Sequence, residues 1–183
     1  MKLIYSALFL VLLSCQQNKS NIQSVKNIRD TNSILTSNTT SIESIDTTKA
    51  KEWLTINILK YFTEPYIDMQ QLTTPEYYTF KMDAMNTEMN ADDSLSEEEF
   101  KKKWKDKYDL KTHPIQVGFL ISGQDWGKII VPSISVKEIQ NAKNSVIFSV
   151  MIRDSVYNVD YDRDIIVVQQ DHKYLISDVL EYD

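Results

Sequence analysis

Tyr161-Asp-Arg-Asp-Ile-Ile-Val-Val-Gln-Gln170-Asp171-His172-Lys173-Tyr-Leu-Ile-Ser-Asp-Val-Leu180 is the stretch that decides the fold. Two runs rich in β-branched and aromatic residues flank Asp171-His172. A two-residue gap of this kind reads as a tight hairpin turn between antiparallel strands. In the second run Tyr174, Ile176 and Asp178 alternate with Leu175, Ser177 and Val179. Upstream, Ser145–Arg153 alternates as well, with Val146, Phe148, Val150 and Ile152 on one face. Val131–Ile139 precedes it across the turn candidate Asn141-Ala142-Lys143-Asn144, and Ile129 and Ile130 extend it. Pro132 marks that strand as an edge or bulged strand, because proline donates nothing to a ladder. The spacing therefore predicts four strands, 131–139, 145–153, 161–170 and 173–180.

Before His113-Pro114 the period is helical. Ala50, Trp53, Leu54, Ile58, Tyr61 and Phe62 share a helix face, with Asp46, Thr47 and Thr48 as caps and Pro65 as the stop. A second helix starts at Thr74-Pro75-Glu76, and its stripe is read as Tyr78, Met82, Met85 and Met89. Ser96 and Glu99 form a capping box for a third, lined by Phe100, Trp104 and Tyr108. Helices first and a meander afterwards predict an α+β fold, with the helices on one face of a curved antiparallel sheet of about four strands.

The composition narrows the function classes. The chain has 183 residues, one cysteine, two histidines and three glycines. Three glycines leave no room for a Walker loop or a dinucleotide-binding turn. One cysteine excludes an internal disulfide and a thiolate zinc cage. A formal charge of −6 argues against a general phosphate-backbone binder, so no nucleic-acid partner is expected.

The start of the chain reads as an address. Lys2 precedes the apolar run Leu3–Leu13, which is too short to span a bilayer and fits a signal peptide. Leu12-Leu13-Ser14-Cys15 resembles a bacterial lipobox. The resemblance implies lipidation of Cys15, with palmitate-type acyl chains, and cleavage before it. Residues 16–46 hold Asn, Ser, Thr or Gln at 18 of 31 positions and no aromatic residue. Such a stretch buries too little to offset its ordering and reads as a flexible tether. The expected organisation is a lipoprotein signal peptide over 1–14, lipidated cysteine and tether over 15–46, and one domain over 47–183. The absence of Asp after Cys15 favours the outer membrane, facing the periplasm.

Two features of the domain resemble a known superfamily. One is the segment Phe119-Leu120-Ile121-Ser122-Gly123-Gln124-Asp125-Trp126, and the other is the closing hairpin quoted above. Together they resemble the cystatin-like roll of the nuclear-transport-factor-2-like superfamily, in a family of small exported bacterial domains of unknown function.

Candidates for chemistry are few. His113 has the side chain for a general base, but no nucleophile or metal partner is identifiable, and it reads better as a surface-loop histidine. Asp125 and Trp126, between Gly123 and Gly127, are the loop candidates for ligand or partner contact; Trp126 reads better as a plug of the roll. Asp160, Asp162 and Asp164 imitate a calcium loop, yet Ile165 stands where the turn needs glycine, so no metal is expected. No cofactor is implied and no catalytic residue is assigned. The expectation is a non-catalytic binding or accessory lipoprotein of the cell envelope, held to the membrane through Cys15, with an envelope protein or small apolar ligand as partner. An immunity-type protein or inhibitor of a toxin or hydrolase is the alternative, and a small enzyme using the roll cavity is the second.

Overall fold

The computed structural model describes residues 44–89 and 94–182, all within one compact unit, Thr40–Asp183. Residues 1–43 lie outside the described residues, and with them Cys15, the apolar run and most of the expected tether. The fold is α+β. Four helices, α1 (Thr47–Thr63), α2 (Met69–Leu72), α3 (Pro75–Asn86) and α4 (Glu97–Trp104), precede four strands. The strands are β1 (Ile129–Gln140), β2 (Ser145–Asp154), β3 (Val159–Gln170) and β4 (Lys173–Glu181). They form one antiparallel sheet in chain order.

The sheet follows the alternation of its sequence. Phe148 stands opposite Ile165, and Ile165 opposite Val179, a row of apolar side chains with no exposure at all. Asp171 and His172 turn β3 into β4 with φ of 48° and 62°, and Asn144 and Asn158 take the same left-handed conformation after β1 and β2. None of the three glycines has positive φ; asparagine and aspartate tolerate that region best among side-chain-bearing residues. β1 is an edge strand interrupted twice, around Pro132 and at Lys137, which blunts its free edge. The β4 edge is covered: Thr74 donates its N–H to the Ile176 carbonyl at 2.8 Å, and Glu181 to that of Thr112 at 2.9 Å.

Strict alternation fails in β4. Ile176 faces Val167 and Asp178 faces Ile166, so Ser177 is an extra residue, a bulge. Downstream of it the buried side chains are Val179 and Glu181 rather than Asp178 and Leu180.

The helix caps are those the sequence offers. Asp46 accepts from the N–H groups of Thr48 and Lys49, Thr74 caps α3 with Pro75 at its first position, and Ser96 and Glu99 close the capping box. In α1 Ala50, Leu54 and Ile58 are buried, and α1 ends at Thr63, with Glu64 as its C-cap before Pro65. Ile45 joins the core just ahead of the cap. α3 departs from expectation. Its buried face is Tyr77, Phe80, Lys81 and Ala84, not Tyr78, Met82, Met85 and Met89, and it stops at Asn86. The true stripe needs a buried lysine, which is affordable only when the charge is paired. Lys81 Nζ meets Glu181 Oε1 of β4 at 2.5 Å, both side chains 2 % exposed.

Gly127 is required by a close approach. A Cβ there would lie 2.4 Å from Val156 Cβ in the β2–β3 turn. Asp154, buried beside it, accepts N–H groups from Gly127, Val156 and Tyr157 and holds the two segments together. Gly127→Ala is expected to destabilise the domain by about 1–3 kcal/mol in urea unfolding, as overpacking does, and adding Val156→Gly should return part of the loss.

Candidate functional site: an apolar groove beside Trp126

The described surface has an apolar groove where α1, α3 and the segment before the sheet converge. Tyr61 and Phe62 come from the last turn of α1, Met85 and Met89 from α3 and just beyond it, and Phe119, Ile121 and Trp126 from the segment. They line about 330 Å³ together with the amides of Gln116 and Gln124, and no charged residue is among the described lining. A second cavity of about 440 Å³ adjoins it, sharing Tyr61, Phe62 and Trp126. Its only charged lining residues are Glu64 and Asp68.

Each wall is fixed from below. Phe119 meets Tyr61 edge-on at 5.1 Å, and Trp126 meets Phe62 edge-on at 5.3 Å while its indole N–H reaches the Phe62 carbonyl at 3.4 Å. Gln116 donates its backbone N–H to Ala84 at 2.8 Å and its side-chain amide to Thr87 at 3.0 Å, tying the segment to the end of α3. Beneath it, Arg163 of β3 donates to the carbonyl of Leu120 at 3.0 Å and to the Ser122 hydroxyl at 3.1 Å. Leu120 has φ of 71°, a costly conformation for leucine that this bond helps to hold. Arg163 is itself buried and lies 3.6 Å from Glu181 Oε2, so one carboxylate serves both Arg163 and Lys81.

The sequence candidates separate. Trp126 lines both cavities at the rim, 43 % exposed, so it is a lip and not a plug of the interior. Asp125 is exposed beside it. His113 is not a surface residue. It is 4 % exposed, with Nε2 at 2.7 Å from Asp178 Oδ1 and Nδ1 at 2.5 Å from the Asp109 carbonyl. It lines a different cavity, with Phe100, Leu110 and Pro114. A carbonyl cannot donate, so Nδ1 carries the proton there, and Nε2 is engaged by the carboxylate. Neither nitrogen has a lone pair free for a substrate.

Two of the three aspartates are spent on other contacts and the third points to solvent. Asp160 pairs with Arg153 at 2.5 Å, and Asp164 receives Lys137 at 2.5 Å and the Tyr182 hydroxyl at 2.6 Å, while Asp162 is exposed. Among the described residues no three of His, Cys, Asp and Glu are grouped to hold a metal ion.

Lys81, Arg163 and Glu181 escaped the sequence reading. A signal was present: Arg163 shares its strand face with Tyr161, Ile165 and Val167, which puts a guanidinium in an apolar row and calls for a carboxylate.

The fold and site define a small α+β domain with an aromatic- and methionine-lined surface groove. The chain belongs to the PET122 family, a yeast mitochondrial translational activator family, whose match runs over residues 6–171. No curated protein and no solved structure matches it. Membership corrects several expectations. The bacterial lipoprotein reading, with its outer-membrane and periplasmic location, gives way to a mitochondrial family. So do the cystatin-like resemblance and the envelope functions, including the immunity-type and cavity-enzyme alternatives. The expectation of no nucleic-acid partner falls too, since translation machinery includes ribosome and mRNA. The lipobox rested on four adjacent residues after an apolar run, and an apolar basic start serves more than one targeting route. The roll resemblance rested on one loop and one hairpin, which any closing meander can supply.

His113 makes stability depend on pH. Burial pulls its pKa down, but the hydrogen bond and charge of Asp178 and the Asp109 carbonyl outweigh burial and leave it raised. A raised imidazole contributes fully below its unfolded value, about 6.5, and the contribution is lost as pH rises through the folded value. The urea midpoint should therefore fall as pH rises from about 6.5, and Asp178→Asn should flatten that decline. A decline of the same size in Asp178→Asn contradicts the assignment.

Proposed function

We propose that the chain works in mitochondrial translation as a binding component rather than as an enzyme. The family match over residues 6–171 carries this reading. The composition of the start agrees with a mitochondrial location: residues 1–29 contain Lys2, Lys19, Lys26 and Arg29, four serines and no acidic residue. Mitochondrial targeting segments are acid-poor, Ser-rich and Arg-rich; this start shares the lack of acids and carries its positive charge on three lysines and one arginine.

The groove supplies a physical means of binding. An apolar cleft with a few polar groups at its margin is the usual form of a recognition site. The His113–Asp178 pair is buried and bonded within the fold, which supports binding over catalysis. The partner is the translation machinery, and the groove suits a protein segment of it, since its walls are aromatic and thioether and its only charged lining is acidic.

The test is sedimentation of mitochondrial extract containing the tagged full chain. Co-sedimentation with ribosomes, reduced severalfold by Trp126→Ala, is the expected result. A chain that stays at the top of the gradient under low salt contradicts the proposal.

A further inference from the structure

We infer that the groove seats an amphipathic helix whose apolar face carries two large side chains one turn apart and whose flanks are Lys- or Arg-rich. The inference deepens the binding reading above and rests on it. Three observations lead to it. First, neither cavity is lined by a residue of any strand; the lining comes from α1, α2, α3 and the connecting segments. An occupant finds no sheet edge to extend, so its backbone must satisfy its own hydrogen bonds, and a helix does so within itself.

Second, the two cavities lie side by side and share Tyr61, Phe62 and Trp126. Paired hollows on either side of an aromatic ridge accept successive anchors from one helix face, as i and i+4 positions present them. The walls include Met85 and Met89, flexible side chains that adapt to the shape of an incoming group, and Met89 and Trp126 are 49 % and 43 % exposed. The exposed Tyr66, beside Pro65 in the turn that borders the second cavity, enlarges the aromatic margin.

Third, the charge is one-sided. Glu64 and Asp68 line the second cavity, the exposed Asp125 adjoins Trp126, and among the described residues no cationic side chain lines either cavity. A partner with basic flanks gains encounter rate and orientation from this arrangement, and an acidic one is rejected.

The probe is a synthetic helical peptide with Leu at i and i+4 and lysines on its flanks, fluorescein-labelled and titrated with the full chain by anisotropy. Binding is expected to weaken at least about tenfold with Trp126→Ala or Met89→Glu, the loss of a buried anchor contact. The double variant Glu64→Lys/Asp68→Lys should weaken it and remove most of its salt dependence. Circular dichroism of each variant confirms folding, and Met89→Glu, at an exposed position, guards against a failure of Trp126→Ala to fold. Equal affinity for a peptide with glutamate flanks overturns the inference, as does indifference to both Trp126→Ala and Met89→Glu. A concentration-dependent dimer abolished by Trp126→Ala overturns it in favour of a second copy of this chain. Ribosome co-sedimentation that persists without peptide binding leaves the wider reading standing and defeats this one alone.

Discussion

Glu181 stands between two buried cations, and the groove depends on that placement. Its Oε1 lies 2.5 Å from Lys81 on α3, and its Oε2 3.6 Å from Arg163 on β3. Arg163 in turn carries the Leu120–Ser122 segment, and α3 carries Met85. The carboxylate on the last strand thus fixes both a helix wall and a loop wall. Charges taken out of water cost several kcal/mol each, and attraction offsets this only where the geometry is good. The protonation of Lys81 shows the opposition: burial lowers its pKa most, Glu181 opposes that, and Arg163 adds to it. Arg163 relies on neutral oxygens as well, the carbonyls of Leu120 and Asp162 and the Ser122 hydroxyl.

Around that cluster the core is aromatic. Phe80 stacks on Tyr108 at 3.9 Å and meets Trp104 and His113 edge-on. Tyr77 is fully buried, and its hydroxyl has no hydrogen-bond partner among the described residues. Burial, together with the charges of Asp178 and Glu181, pushes its pKa well up, so it remains a neutral phenol. The His113–Asp178 pair closes the other side, and the bulge at Ser177 is the departure from alternation that precedes Asp178. Polar groups here specify which way α3 faces the sheet.

Much of the fold was legible because local rules govern it. The four strands, the caps at Asp46, Thr74 and Ser96 and the turn at Asp171-His172 follow from neighbours a few residues apart. The face of α3 was not. Tyr77, Phe80 and Ala84 recur at the right interval, but completing the stripe means burying Lys81, and its partner lies a hundred residues away. The bulge hid the inward turn of Glu181 in the same way, since alternation carried through Ser177 places it wrongly. His113 reads as a surface-loop histidine because nothing near it in the sequence marks a partner, and Asp178 lies 65 residues away. Of the site, Trp126 and Asp125 are legible through the glycines around them; the methionine stripe reads as core or as an adaptable surface, and Met85 is both, packed on the core and lining the groove with the exposed Met89.

The family match ends at residue 171, and β4 follows it. The strand that contributes Asp178 and Glu181 therefore lies beyond the shared region, although it fixes the groove walls within that region. The most direct test of the account is a double-mutant cycle in urea with Lys81→Met, Glu181→Gln and the double variant. Glu181→Gln should cost about 3–5 kcal/mol, because it leaves the buried Lys81 without its carboxylate, and Lys81→Met less, because Glu181 keeps Arg163 beside it. The double should cost less than the sum by at least about 2 kcal/mol, a coupling expected of residues in contact. Additivity within about 0.5 kcal/mol would contradict the claim that this pair holds the helix on the sheet.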